Sequence, residues 1–137
     1  MSRTVILLLD SFGIGYAHDA AAYGDKGADT LGHISERLAK NPRSEGGEIR
    51  PLQLPHLAER GLEAAAVLSR GEKLAAPLGA EHTIGAYTYA QEVSTGKDTL
   101  SGHWEISGVP VTFDWGYFPN VPHCFPQELV AALIEKG

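Results

Sequence analysis

Five apolar residues in a row, Val5-Ile6-Leu7-Leu8-Leu9, stand near the start of the chain and stop at Asp10, where Ser11-Phe12-Gly13-Ile14-Gly15 follows. A short run without polar alternation predicts a strand buried on both faces, as in a parallel sheet covered by helices. Leu31, Ile34 and Leu38 then recur at helical spacing, with Asp29 or Thr30 placed as N-cap. The polar stretch from Asn41 to Glu48 reads as a surface loop. Pro55 is set to open a short helix that carries Leu57 and ends at Gly61. Ile84 to Tyr89 has the β-branched and aromatic content of a second strand. It feeds the polar segment Ser94-Thr95-Gly96-Lys97-Asp98-Thr99, and a helix is predicted to open near Thr99. Val109 to Phe113 reads as extended, Trp115 to Pro119 as a loop, and Pro126 starts an amphipathic helix with Leu129 and Leu133 on one face. Strand, helix, strand, helix is the order of an α/β sheet. The pattern stops on a helix, and a sheet of two or three strands leaves long edges unpaired. The chain is therefore expected to be part of something longer.

Composition changes this picture little. A length of 137 residues fits one domain, and the apolar share of 43% and charged share of 20% are those of an ordinary globular protein. Sixteen glycines point to tight turns or to backbone lying close against a ligand. The net charge, 11 − 17 = −6, gives no electrostatic footprint for nucleic acid or an anionic membrane, so neither is expected as a partner. A phosphorylated substrate stays compatible, because bound cations invert the local charge. The single cysteine, Cys124, excludes an intrachain disulfide and a thiolate zinc cluster. With no basic neighbour to activate it, Cys124 reads as an inert thiol. The opening apolar run is too short for a signal peptide or a membrane span, and a cytoplasmic protein is the simplest expectation.

Candidate chemistry gathers in two places. Asp10 stands at the carboxyl end of the first predicted strand, where open α/β sheets bind ligands. A carboxylate there, followed by Gly13 and Gly15, suits a hard cation with oxygen ligands. The plainer role for such an aspartate is a turn or an N-cap. The second place is Ser94 to Glu105. A hydroxyl at a helix N-terminus faces free N–H groups and the positive end of the helix dipole, and it attacks phosphorus if a cation lowers its pKa. The plainer role for Thr99 is to cap that helix. Gly96-Lys97-Asp98-Thr99 lacks the glycine spacing of a Walker A loop. His18, His33, His82 and His103 show no metal spacing on a helix face, and Asp19, Asp25 and Asp29 read as a solvated acidic loop. Trp104 reads as core.

In combination these segments are far more specific. Thr4 to Gly15, Gly24 to Ile34, the run Ser94 to Gly108 with its Gly-Lys-Asp-Thr and Ser-Gly-His-Trp-Glu-Ile, and Phe125 to Leu129 resemble the phosphopentomutases, in order and at family spacing. The resemblance covers nearly the whole chain. That family lies in the alkaline phosphatase superfamily of two-metal phosphoryl-transfer enzymes. The resemblance implies an α/β fold, with a partial alkaline-phosphatase-like core sheet in residues 1–112 and the start of an inserted cap domain in residues 113–137. It implies that Asp10 ligates one of two divalent ions, usually manganese (Mn²⁺). It also implies that Thr99 is the phosphorylated nucleophile, lying against the metals through its oxygen or its phosphate. In the family's cycle phosphothreonine gives its phosphate to a pentose monophosphate, and the 1,5-bisphosphate so formed returns its other phosphate to the enzyme. The substrate class is then (deoxy)ribose 1- and 5-phosphates, in nucleoside and deoxyribose salvage. The family's other metal ligands and its phosphate-gripping basic residues would lie beyond Gly137, so activity is expected of a longer parent protein. The alternatives are another two-metal enzyme, such as a cofactor-independent phosphoglycerate mutase, or an inactive fragment of the mutase. Gly96-Lys97-Asp98-Thr99 argues against the former, whose serine nucleophile sits in a different motif.

Overall fold

The computed structural model describes residues 3–40 and 51–137, so the loop expected from Asn41 to Glu48 lies outside the described residues. The chain divides into two compact units, Met1–Glu92 and Val93–Gly137.

In the first unit, helix α1 spans Thr30–Lys40. Asp29 starts it, its Oδ1 accepting the Gly32 N–H at 3.0 Å, as an N-cap aspartate does. The Leu31 N–H donates to the Gly13 carbonyl at 3.0 Å, which ties the loop after Asp10 to the first turn of α1. Pro55 opens helix α2, Pro55–Glu59, as predicted, and helix α3 follows at Leu62–Arg70. Gly61 joins them with φ +105°, and a Cβ there would stand 2.5 Å from the Tyr87 Cβ, so both the bend and the packing require glycine. The pattern reading passed over α3, whose alanines at 64–66 make an apolar stripe without bulk.

Leu31, Ala58, Ala66, Leu74 and Leu78 form the buried core of this unit, with Phe12, Ile14, Leu52, Leu54 and Leu62 packed on it. Two hydrogen bonds pin the Leu78 backbone: its carbonyl accepts the Leu54 N–H, and its N–H donates to the Glu63 carboxylate, each at 2.8 Å. Arg70, at the end of α3, pairs with Asp29 through Nε and donates to the Glu72 and Lys73 carbonyls through Nη1. One arginine thus joins the N-terminus of α1 to the C-terminus of α3.

In the second unit, helix α4 spans Thr99–Ile106 and helix α5 spans Gln127–Lys136. Val111 is buried, whereas Leu129 and Leu133 of α5, on one face as predicted, are both exposed.

The expected α/β sheet is not formed. Among the described residues there are five α-helices, a 3-10 turn at Ala20–Tyr23, and no strand. The partial alkaline-phosphatase-like core sheet implied by the resemblance is absent with it. Val5 to Leu9 have the composition of a buried strand, yet exposure runs from 55% at Leu8 and Leu9 to 91% at Leu7. Ile84 to Tyr89 form no strand either. Extended backbone gains its hydrogen bonds and its side-chain burial only from a neighbouring strand. Local composition supplies the propensity but not the partner.

Candidate active site

Asp10 stands where the apolar run ends, as expected, in a turn completed by Ser11 at φ +57°. Its Oδ1 accepts the Ser11 N–H at 2.9 Å, and the residue is exposed. This is the geometry of a turn aspartate, and it leaves a hard oxygen donor facing solvent.

Thr99 lies in the second unit, and a network of side chains builds its surroundings. Asp98 has the extended backbone of an N-cap (φ −150°, ψ 157°), and its Oδ1 accepts the Ser101 N–H at 2.8 Å. The cap is therefore Asp98, and Thr99 is the first helical residue. Asp98 Oδ2 accepts from the Ser101 hydroxyl at 2.8 Å and from the Tyr117 hydroxyl at 3.2 Å. The Trp115 indole N–H donates to Ser101 Oγ at 2.7 Å. Trp115 is held edge-on to Phe113 and Trp104, with ring centroids 4.9 and 6.2 Å away. From the last turn of α4, Glu105 reaches back and accepts the N–H groups of Val93 (2.7 Å) and Ser94 (2.8 Å). The Ser94 hydroxyl in turn accepts the Val111 N–H at 2.9 Å. The loop before Thr99 is thus fastened to both ends of the helix that follows it.

These bonds distinguish the four hydroxyls of the segment. Ser94 and Ser101 are buried and committed, and Thr95 donates to Asp114 at 3.5 Å. Thr99 is exposed, and among the described residues no hydrogen bond engages its hydroxyl. Its carbonyl accepts from His103 Nδ1 at 2.7 Å, which makes that nitrogen the donor. The free N–H groups expected at this helix end are partly taken, since Asp98 receives Ser101 N–H on its side chain and Gly102 N–H on its carbonyl. Both carboxylates titrate below their ordinary range. For Asp98 the main cause is the Ser101 N–H, opposed by partial desolvation and helped by the Ser101 and Tyr117 hydroxyls. For Glu105 it is the Ser94 side chain, followed by the backbone N–H groups of Val93 and Ser94.

Among the described residues no three His, Cys, Asp or Glu side chains gather as a metal site. His18 and His33 line a cavity of about 410 Å³ with Asp29, Glu36, Arg70 and Glu72, while His82 faces Glu81 at 3.9 Å. Asp29, read as part of a solvated loop, is instead the partner of Arg70. Trp104, read as core, is 41% exposed. Sequence reasoning missed Asp98, Glu105, Trp115 and Tyr117. Only Asp98 had a legible signal, an aspartate immediately before a helix start.

The chain is 53% identical over 137 residues to the phosphopentomutase of Sodalis glossinidius (strain morsitans), covering all of this chain and 33% of that protein. The phosphopentomutase of Yersinia enterocolitica is 53% identical over 140 aligned residues, and that of Proteus mirabilis 51%, again with the whole chain covered. The chain spans about a third of the length of these relatives. No family model and no solved structure matches it.

Proposed function

We propose, for a chain similar over its whole length to phosphopentomutases, that the protein carrying it interconverts the 1- and 5-phosphates of ribose and deoxyribose. Thr99 is the phosphoryl carrier in this reading. The observation that carries the assignment within the segment is the hydroxyl inventory: Ser94, Thr95 and Ser101 are hydrogen-bonded, and Thr99 alone is exposed and unengaged among the described residues. Phosphorylated Thr99 gives its phosphoryl group to the free hydroxyl of a pentose monophosphate, and the hydroxyl proton is lost as the new P–O bond forms. The resulting 1,5-bisphosphate returns its other phosphoryl group to Thr99, so phosphate is conserved and the sugar leaves as its isomer.

Two divalent ions, Mn²⁺ in this proposal, would neutralise phosphate charge when bound. Asp10 is one proposed ligand and Thr99 a second, through its oxygen or phosphate; both are hard oxygen donors and both are exposed. Among the described residues no group of three or more His, Cys, Asp or Glu side chains completes such a site. Residues 113–137 are proposed as the first part of a cap domain, and the cytoplasm as the compartment. No helix among the described residues is long and apolar enough to cross a membrane.

The test grafts this chain in place of the matching third of the Sodalis relative and follows ribose 1-phosphate by phosphorus NMR with Mn²⁺ present. Ribose 5-phosphate should accumulate to an equilibrium mixture. Release of inorganic phosphate alone, or phosphoglycerate turnover without pentose isomerisation, defeats the reading.

A further inference from the structure

Phosphoryl transfer through an exposed threonine on the first turn of a helix poses a geometric problem. Helix ends fray, and a displacement of about 1 Å at a reacting group costs on the order of a hundredfold in rate. The network around Asp98 answers it. We propose that Asp98, braced by Ser101, Trp115 and Tyr117, is a positioning residue that sets the orientation of the Thr99 hydroxyl; the inference rests on Thr99 being the phosphoryl carrier.

The direction of every bond in the network is fixed by chemistry. An indole N–H only donates and a carboxylate only accepts, so Ser101 must accept from Trp115 and donate to Asp98. The Tyr117 hydroxyl donates to the same carboxylate oxygen. Asp98 Oδ1 is occupied by the Ser101 N–H, which locks the backbone on either side of Thr99. Ser101 is wholly buried, so water does not replace a lost partner there. Gly96 closes the cluster: a Cβ at that position would overlap Ser101 Oγ and stand 2.6 Å from Asp98 Oδ2 and 3.1 Å from Trp115 Cδ1. The half-buried carboxylate thus accepts one donor on Oδ1 and two on Oδ2. Its oxygens are committed, which makes Asp98 a support for Thr99 and not the base that takes its proton.

Ser101→Ala removes the central hydroxyl with almost no change in volume, and Tyr117→Phe removes one donor at an exposed position. The assay uses the protein carrying this chain, with kcat and KM for ribose 1-phosphate, circular dichroism, and mass spectrometry of the phosphorylated residue. Ser101→Ala should lower kcat by about ten- to a hundredfold. Tyr117→Phe should lower it severalfold. In both, KM should stay within about twofold and the helical signal should be kept, the signature of an interaction expressed in the transition state. The inference is overturned if Tyr117→Phe and Ser101→Ala both keep the wild-type kcat, if the change falls on KM alone, or if lost rate merely tracks lost helical signal. A wild-type protein that turns over but carries its phosphate elsewhere than Thr99 overturns the carrier assignment, and this inference with it.

Discussion

At the scale of single residues, Thr99 and Arg70 show how side chains take opposite parts. Thr99 is exposed and contributes little to folding, so Thr99→Ala should change stability by less than about 0.5 kcal/mol. It should abolish phosphate incorporation and isomerisation. Thr99→Ser keeps the attacking oxygen and should keep part of the activity. Peptide mass spectrometry with a chemical-denaturation curve checks both, and phosphate on Ser94, Thr95 or Ser101 in an active Thr99→Ala protein would refute the assignment. Arg70 is the reverse case. Its side chain is 4% exposed and that of Asp29 is 12% exposed, so removing the cation leaves a carboxylate with little water to solvate it. Arg70→Met should therefore destabilise the first unit by about 3 kcal/mol. Urea unfolding reads this directly, and an unchanged midpoint would mean that the pair is dispensable.

At the scale of elements, α4 is held at both ends by carboxylates. Asp98 caps its first turn and Glu105 fastens its last turn to the loop at Val93 and Ser94. Both groups have folded-state pKa values lowered by the N–H and O–H groups that they accept. A depressed folded pKa means that the charged form is favoured by folding. This stabilisation is complete above the unfolded carboxylate range and is lost as pH falls below about 4, through the depressed values. Helical circular dichroism of α4 should hold at neutral pH and decline only in that acid window. Glu105→Gln should weaken the element at neutral pH and flatten its response to acid. If the variant shows the wild-type acid transition, Glu105 is not the group responsible. The prediction of a helix opening near Thr99 succeeded because a polar residue able to cap is a local signal, although the cap is Asp98 and not Thr99. The predicted strands failed because pairing is not local.

At the scale of the whole molecule, the helices bury modest cores and leave large apolar side chains uncovered. Leu7, Leu133 and Ile134 are each more than 70% exposed. Apolar surface of that kind attracts apolar probes and other copies of the chain. The 137-residue chain is expected to bind the dye ANS and to self-associate with rising concentration. Fluorescence and sedimentation velocity test this, and a dye-silent monomer at high concentration would show that the apolar residues are covered. Leu31, at 0% exposure, belongs to the opposite class, and Leu31→Ala should cost the first unit about 2–5 kcal/mol.

What the sequence determined by itself is what short-range chemistry encodes. The start of α2 at Pro55, a cap at Asp29 or Thr30, the end of the apolar run at Asp10 and the helix opening near Thr99 follow from residues within a few positions of one another. The likeness to phosphopentomutases was legible too, because ordered motifs survive in sequence without reference to packing. Tertiary structure alone decided that Asp29 meets Arg70, that Trp115 and Tyr117 reach Ser101 and Asp98, and that Glu105 holds the Val93 and Ser94 backbone. It alone left Val5 to Leu9 exposed and without a strand partner. The reason is common to all of these. A hydrogen-bond partner or an apolar neighbour distant along the chain is chosen by how the backbone turns in between, and neither local periodicity nor composition contains that choice.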